Sequence, residues 1–526
     1  MKELKFEELS VEQKIGMVTC CMIDPWNRNP EMDEFIYEKI RNHALGCVWV
    51  YRTIPDFEEV MAKIKEIADY PLLIIDDAEK GIDHSIGWQN ALGMADSEEL
   101  SYEFGKVTAI SARKKGFNVI CNPILDMANG AKVACGNLRT LGSDKKKVAA
   151  LAAAMARGMH DGGILTVGKH YPSAKTEGLI DSHMAEACSY VTKEELLDYN
   201  LFPYLELMKE DLLDGIMTDH CRLPNIDPDY PASLSKKVIE IIREQGFDGF
   251  AITDGLSMMG IVAKFGAIES TGLAIENGND IALASGGFRA GYAGVYECYK
   301  KGILSEERLD QATKRVLAAQ HKVFEMEPKY TEITPDDIDA IKKINTDSIY
   351  ARVDDGLSTS VSRDGKHFFI VIADDGTIIK EGRPAIDTFS NNWYDPVRII
   401  RRLEELFPNS EVIAIREFPS PMNNNHALHK AVDFDDVVFI TYVRTGAYVG
   451  REEFTPPMVS LMESMLVSNQ LSTVVHFGTP YALEILPHIP RLFIGNCSQA
   501  NVMAALEVLA GNYPAKGRLT SSVNLK

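Results

Sequence analysis

The chain has 526 residues, 45% of them hydrophobic and 25% charged, with a formal net charge of −21. That length exceeds one ordinary core and predicts two or three domains. The acidic balance argues against a nucleic-acid or anionic-membrane surface, whose footprint is basic, and leaves a soluble enzyme of neutral or cationic small molecules. The N-terminal stretch is charged and amphipathic, without the basic-then-apolar order of a secretory signal, and no apolar run approaches the ~18 residues of a membrane span. Nine cysteines are scattered through apolar segments, with no CxxC pair at zinc spacing, so a reducing cytoplasm is the expected compartment.

In chain order, short apolar, β-branched runs alternate with amphipathic helical stretches. The strand candidates are 16–23, 47–51, 72–76, 118–122, 163–167, 215–218, 249–252 and 280–283. Helix-like segments between them include 56–68, 97–114, 144–160, 192–210 and 234–245. Strands alternating with helices imply parallel pairing, and this number within such a length predicts a (β/α)8 TIM-like barrel. A charged amphipathic helix over 307–324 follows. Residues 346–366 are polar and bear Gly and Ser, which predicts a linker between a barrel domain over 1–345 and a C-terminal α/β domain over 367–526. The second domain's strand candidates are 367–373, 411–415, 436–441, 472–477 and 491–495, with helices at 395–406, 457–470 and 499–510.

The C-terminal ends of barrel strands form the active face of such folds. Five of the predicted strands deliver ionisable groups there: Asp77; Asp126; Lys169 and His170; Asp219 and His220; and Asp254. A polar rim of this kind suits a substrate with many hydroxyls. Cleavage of a glycosidic bond needs a carboxylate beneath the anomeric carbon and a proton donor above the leaving oxygen. Asp254, at a strand end, is the candidate for the first. For the second, Asp181 and His183 stand on the long segment 169–191, where the carboxylate can orient the imidazole and stabilise its protonated form. A surface loop with an incidental Asp-Ser-His is the competing reading. A metal hydrolase built on His170, Asp219, His220 and Asp254 lacks both an HxH at a strand end and an HExxH. No metal and no cofactor are expected.

These segments resemble glycoside hydrolase family 3, and within it the beta-N-acetylglucosaminidase (beta-hexosaminidase) branch. The strand from Pro71 through Asp77 to Gly81 is similar to one ending in Asp-x-Glu-Gly-Gly. Asn122 to Asp126 resembles a Pro-x-x-Asp segment, and Arg139 to Gly142 an Arg-Ser-Phe-Gly segment. Gly168 to Pro172 followed by Asp181-Ser-His183 resembles a Lys-His-Phe-Pro loop with its Asp-Ser-His ending. Gly249 to Met258 looks like the nucleophile strand, while Gly478 to Tyr481 and Gly511 to Leu519 resemble the family's C-terminal α/β sandwich. The resemblance implies Asp254 as nucleophile and His183, paired with Asp181, as general acid/base. It also implies that Asp77, Arg139, Lys169 and His170 bind the sugar hydroxyls. Two departures stand out: Pro172, Ser173, Ala174 and Lys175 replace a Pro-Gly-His-Gly turn, and no arginine closely follows Gly81.

The resulting expectation is a retaining, exo-acting beta-N-acetylglucosaminidase. It would remove terminal non-reducing beta-linked GlcNAc through a glycosyl-Asp intermediate, in cell-wall or chitin-fragment metabolism. Its partner is a small saccharide, with no nucleic acid and no membrane, and a homodimer is compatible with the sequence. The alternatives are a beta-glucosidase, an N-acetylglucosaminide phosphorylase, and a catalytically inactive sugar-binding homologue.

Overall fold

Eight apolar runs form one parallel sheet that curls towards closure in a computed structural model describing residues 1–26, 28–128, 138–174, 180–284, 288–373, 379–380, 383–384, 394–443 and 453–526. Its strands are β1 (Thr19–Ile23), β2 (Cys47–Val50), β3 (Leu73–Asp76), β4 (Val119–Ile120), β5 (Leu165–Tyr171), β6 (Gly215–Thr218), β7 (Phe250–Thr253) and β8 (Ala282–Ala284). Neighbours follow chain order, and β1 also pairs with β8 through Thr19 and Ala282. At the last seam Ile252 bridges Ile281, and the Thr253 N–H donates to the Ile281 carbonyl at 3.0 Å. Every residue of β2, β6 and β7 is buried, so these strands read as unbroken apolar runs rather than alternating ones. The result is the expected (β/α)8 TIM-like barrel.

The predicted strand 163–167 is longer than expected: β5 runs on to Tyr171, carrying Lys169 and His170 within it. Its pairing with β6 slips between Lys169 and Tyr171. In a regular strand, adjacent side chains face opposite ways; a bulge re-aims one of them. Both residues consequently serve the same rim.

The chain divides into two units. The first comprises Met1–His84, Ser101–Met127 and Asp144–Asp337; the second comprises Ser85–Leu100, Ala128–Ser143 and Ile338–Lys526. The second is an α/β sandwich whose sheet contains β9 (Tyr350–Val353), β10 (His367–Ala373), β11 (Glu411–Arg416), β12 (Asp436–Val443), β13 (Leu471–Gly478) and β14 (Arg491–Gly495). The strand order is β9-β14-β13-β12-β10-β11, parallel except for β9 against β14. Phe369, Val371, Val438 and Ile440 enter one core with Ile399, Leu403, Val502 and Leu506 from helices Pro396–Leu406 and Gln499–Leu509. Phe368, Ile370, Val437 and Phe439 enter another with Met458, Leu461 and Met465 of helix Pro456–Val467. Alternate residues facing alternate cores is the period-two signature of a sheet covered on both faces.

Within 346–366, predicted as linker, Tyr350–Val353 forms the edge strand β9. The two excursions from the first half of the chain supply Trp88 and Leu138 to one core and Met94 to the other. Asn496 holds the first in place: its Oδ1 accepts the Trp88 N–H at 3.0 Å and its Nδ2 donates to the Trp88 carbonyl at 2.7 Å.

Candidate active site

Five consecutive strands, β3 to β7, bring polar groups to the C-terminal rim of the barrel. The ladder itself aims the last two. The Asp219 N–H donates to the Tyr171 carbonyl at 2.8 Å and the Asp254 N–H to the Thr218 carbonyl at 3.0 Å, each extending the sheet by one residue. Asp254 Oδ1 accepts the Gly255 N–H at 2.6 Å, and its Oδ2 lies 4.0 Å from His170 Nε2. Burial alone favours the neutral acid. The imidazoles of His170, His220 and His183, with the Gly255 N–H, outweigh it and hold the Asp254 carboxyl well below the usual carboxylate range. An ionised carboxylate at a fixed strand end has the protonation a nucleophile requires.

His170 is oriented by Asp126, whose two oxygens accept the His170 N–H at 3.0 Å and the Nδ1 proton at 2.6 Å. That assignment leaves Nε2 directed towards Asp254. Asp126 is held in turn because the Leu125 N–H donates to the Lys169 carbonyl at 2.6 Å, and Ile124 bridges Lys169. Lys169, nearly inaccessible, forms ion pairs with Asp77 and, at 2.7 Å, with Glu79. Two carboxylates satisfy the buried ammonium, as a desolvated charge demands. Asp77 remains 48% exposed in its side chain, so the pair has an open side for a ligand.

Asp181 and His183 meet as the sequence suggests. Asp181 Oδ1 accepts the His183 N–H at 3.0 Å and its Nδ1 at 2.6 Å, a local turn closed by the aspartate itself. The turn is docked on the segment that follows β7: the Met259 N–H donates to the His183 carbonyl at 3.3 Å and the Gly260 N–H to the Ser182 carbonyl at 3.1 Å. A Cβ on Gly260 would lie 2.9 Å from the Ser182 oxygen and 3.1 Å from that of Ala185, so glycine permits this approach. His220 is fully buried; its Nδ1 pairs with Ser233 Oγ at 2.7 Å and its Nε2 donates to the Gly255 carbonyl at 3.0 Å. Burial depresses its basicity, opposed by Asp254 and the Gly255 carbonyl.

Of the seven residues singled out from the sequence, Asp77, Lys169, His170, Asp181, His183 and Asp254 lie in the first unit; Arg139 belongs to the second. The replaced turn is described only in part. Ser173 sits at φ 60° and its Oγ accepts the Met127 N–H at 3.0 Å, while 175–179 lie outside the described residues. Sequence reasoning gave no role to Glu79, although it stands only three positions past the end of β3, on the same rim segment as Asp77. Asp126 and Asp219 were visible at strand ends, but not their partners.

A nearly closed parallel barrel with an aspartate, flanking histidines and a buried lysine on its C-terminal rim fits a glycoside hydrolase. The family model for the glycosyl hydrolase family 3 N terminal domain matches residues 10–319, and the chain belongs to that family. A beta-hexosaminidase of Tolumonas auensis is 30% identical over 282 residues, 51% of this chain and 83% of that protein. In fold, a glycoside hydrolase family 3 beta-N-acetylglucosaminidase from Paenibacillus sp. str. FPU-7 has a TM-score of 0.81 at 23% identity, covering 98% of this chain and 100% of that one. The beta-glucoside phosphorylase BglX bound to 2FGlc also gives 0.81, at 22% identity, with 98% and 95% covered. Among the described residues no helix is long and apolar enough to cross a membrane.

Proposed function

We propose that this glycoside hydrolase releases terminal non-reducing beta-linked N-acetylglucosamine with retention of configuration. The observation that carries the reading is the docking of the Asp181–His183 turn on the segment that follows Asp254, which supports a proton donor and a carboxylate acting on one bound sugar. Asp254 attacks C1 and forms a glycosyl ester while His183 gives its proton to the departing oxygen. His183 then removes a proton from the water that attacks the ester, and Asp181 keeps the imidazole in the tautomer that both steps require. Asp77, Lys169 and His170 hold the hydroxyls of the bound sugar. The beta-hexosaminidase name of the Tolumonas auensis relative supports the choice of sugar.

The substrates are small fragments of cell wall or chitin, cleaved in the cytoplasm; the described cysteines are free thiols, which suits a reducing compartment. A second reading, phosphorolysis, is favoured by one feature: a histidine acid/base carries no negative charge to repel phosphate approaching the intermediate. A panel of nitrophenyl glycosides, assayed with and without inorganic phosphate, tests both. Turnover of the 2-acetamido substrate to free sugar supports hydrolysis; phosphate-dependent release of a sugar 1-phosphate assigns phosphorolysis. Turnover confined to the glucoside would overturn the choice of sugar.

A further inference from the structure

The remaining polar groups of the rim are engaged with one another: Lys169 with Asp77 and Glu79, Asp126 with His170, Asp181 with His183, His220 with Ser233 and Gly255. The mechanism leaves Asp219 without a task. Its side chain is presented in the same manner as that of Asp254. Each residue extends the ladder by one position, and each gives its Oδ1 to the N–H of the next residue at 2.6 Å. Among the described residues, the other oxygen of Asp219 takes no hydrogen bond. Thr218 and Thr253 are register partners, so the two carboxyls stand one strand apart, about 4.8 Å between backbones.

What a carboxylate can do at that position follows from its chemistry, for it accepts hydrogen bonds and donates none. With C1 seated over Asp254, a pyranose has two neighbours of C1: the ring oxygen, which bears no hydrogen, and C2, whose substituent does. Resting on the proposed seating of the sugar over Asp254, we infer that Asp219 reads the C2 substituent, its carboxylate accepting a hydrogen bond from the N–H of a 2-acetamido group. The order of the rim then runs with the order of the ring: Asp254 at C1, Asp219 at C2, and His170, Lys169 and Asp77 at the hydroxyls beyond.

The contact depends on Asp219 being ionised. His170 of β5, Asp126 beyond β4, Asp254 beyond β7, Tyr204 of helix Phe202–Lys209 and the His220 N–H all face it. Burial pushes its carboxyl up, opposed by His170 and reinforced by Asp126 and Asp254, to about 6. Above that pH the acceptor is present. As the pH falls through it, the carboxyl takes a proton and the preference for a C2 donor declines.

The test compares the full-length protein with Asp219→Ala and the isosteric Asp219→Asn on three nitrophenyl beta-glycosides: 2-acetamido-2-deoxyglucoside, glucoside and 2-deoxyglucoside. Asp219→Ala is expected to lower kcat/KM on the 2-acetamido substrate about 10- to 150-fold more than on the 2-deoxy substrate, the range for losing a hydrogen bond to a charged group. Asp219→Asn should lose less, and should lack the wild-type decline in selectivity below pH 6. A selective loss on the glucoside alone would make the 2-hydroxyl the donor and overturn the acetamido assignment. Equal losses on all three substrates, or none, would overturn the inference altogether. If the wild-type protein turns over none of them, the proposed activity has failed instead. Calorimetric affinities of wild type and Asp219→Asn for N-acetylglucosamine and 2-deoxyglucose then decide whether Asp219 reads C2.

Discussion

The barrel contains the same side-chain pair twice, on two different supports. His170–Asp126 and His183–Asp181 each place an aspartate where it accepts both the backbone N–H and the Nδ1 of its histidine, at 3.0 and 2.6 Å in each case. In the first pair the aspartate is 44 residues from its histidine and uses both oxygens, and the histidine lies inside a strand. In the second, the partners are two positions apart, one oxygen does both tasks, and the pair stands on a loop docked by two backbone hydrogen bonds. The chemistry of the imidazole is alike; its freedom to move is not. A pair locked into a ladder is suited to holding a substrate, and a pair on a docked turn can follow a proton from leaving group to water.

Removing the group that both pairs face should have the largest effect. Asp254→Asn is expected to lower turnover on the order of 10⁶-fold, the scale for loss of a covalent nucleophile. A 2-fluoro mechanism-based inactivator should label Asp254 in the wild-type protein; mass spectrometry finding the label elsewhere would refute the assignment. His183→Ala comes next, with a loss on the order of 10²–10⁴-fold on natural disaccharide linkages. A nitrophenyl aglycone leaves unaided, so the intermediate should still form, giving an initial burst and rescue by azide as the beta-glycosyl azide.

His170→Ala should cost about 10- to 150-fold, equally on activated and natural substrates and without azide rescue. If both histidine variants were rescued, the contrast between the pairs would collapse. The mildest change, Gly260→Ala, disturbs the docked turn alone, because the new Cβ meets two carbonyl oxygens of the 182–185 segment. We expect roughly a tenfold loss on natural linkages, a factor that corresponds to about 1.4 kcal/mol in the barrier, and little change on nitrophenyl substrates. A drop of equal size on both would mean that the substitution had reached Asp254 as well.

The barrel was legible because buried parallel strands are continuous apolar runs, so β2, β3, β6 and β7 lie within a residue of where the pattern puts them. The limit of β5 was not, since Lys169, His170 and Tyr171 look like the start of a polar loop and only the slip in pairing keeps them in the strand. Helices Pro30–Arg41 and Pro421–Ala431 escaped the pattern of apolar residues although both carry local start signals: Asn29 and Ser420 as caps, each followed by proline. In the site, position at a strand end pointed to Asp77, Asp126, Asp219 and Asp254. The pairing of Asp126 with His170 spans distant strands, and no local spacing encodes it. The division into units was the least visible, because Trp88, Met94 and Leu138 find their apolar neighbours more than two hundred residues further on.

Those excursions bear on how the chain is made. Ser85–Leu100 and Ala128–Ser143 emerge during synthesis long before the sheet whose cores they complete. Until β10 to β14 have been translated, Trp88, Met94 and Leu138 lack the sheet residues of the cores they join, and nascent chains of this kind are prone to aggregate. A gene cut before codon 338 would strand them permanently. The reciprocal fragment would lack the tryptophan whose backbone Asn496 holds from both sides. The second unit is thus not one continuous cassette, and a chimaera carrying residues 338–526 alone would lack the side chains that the two excursions contribute to its cores.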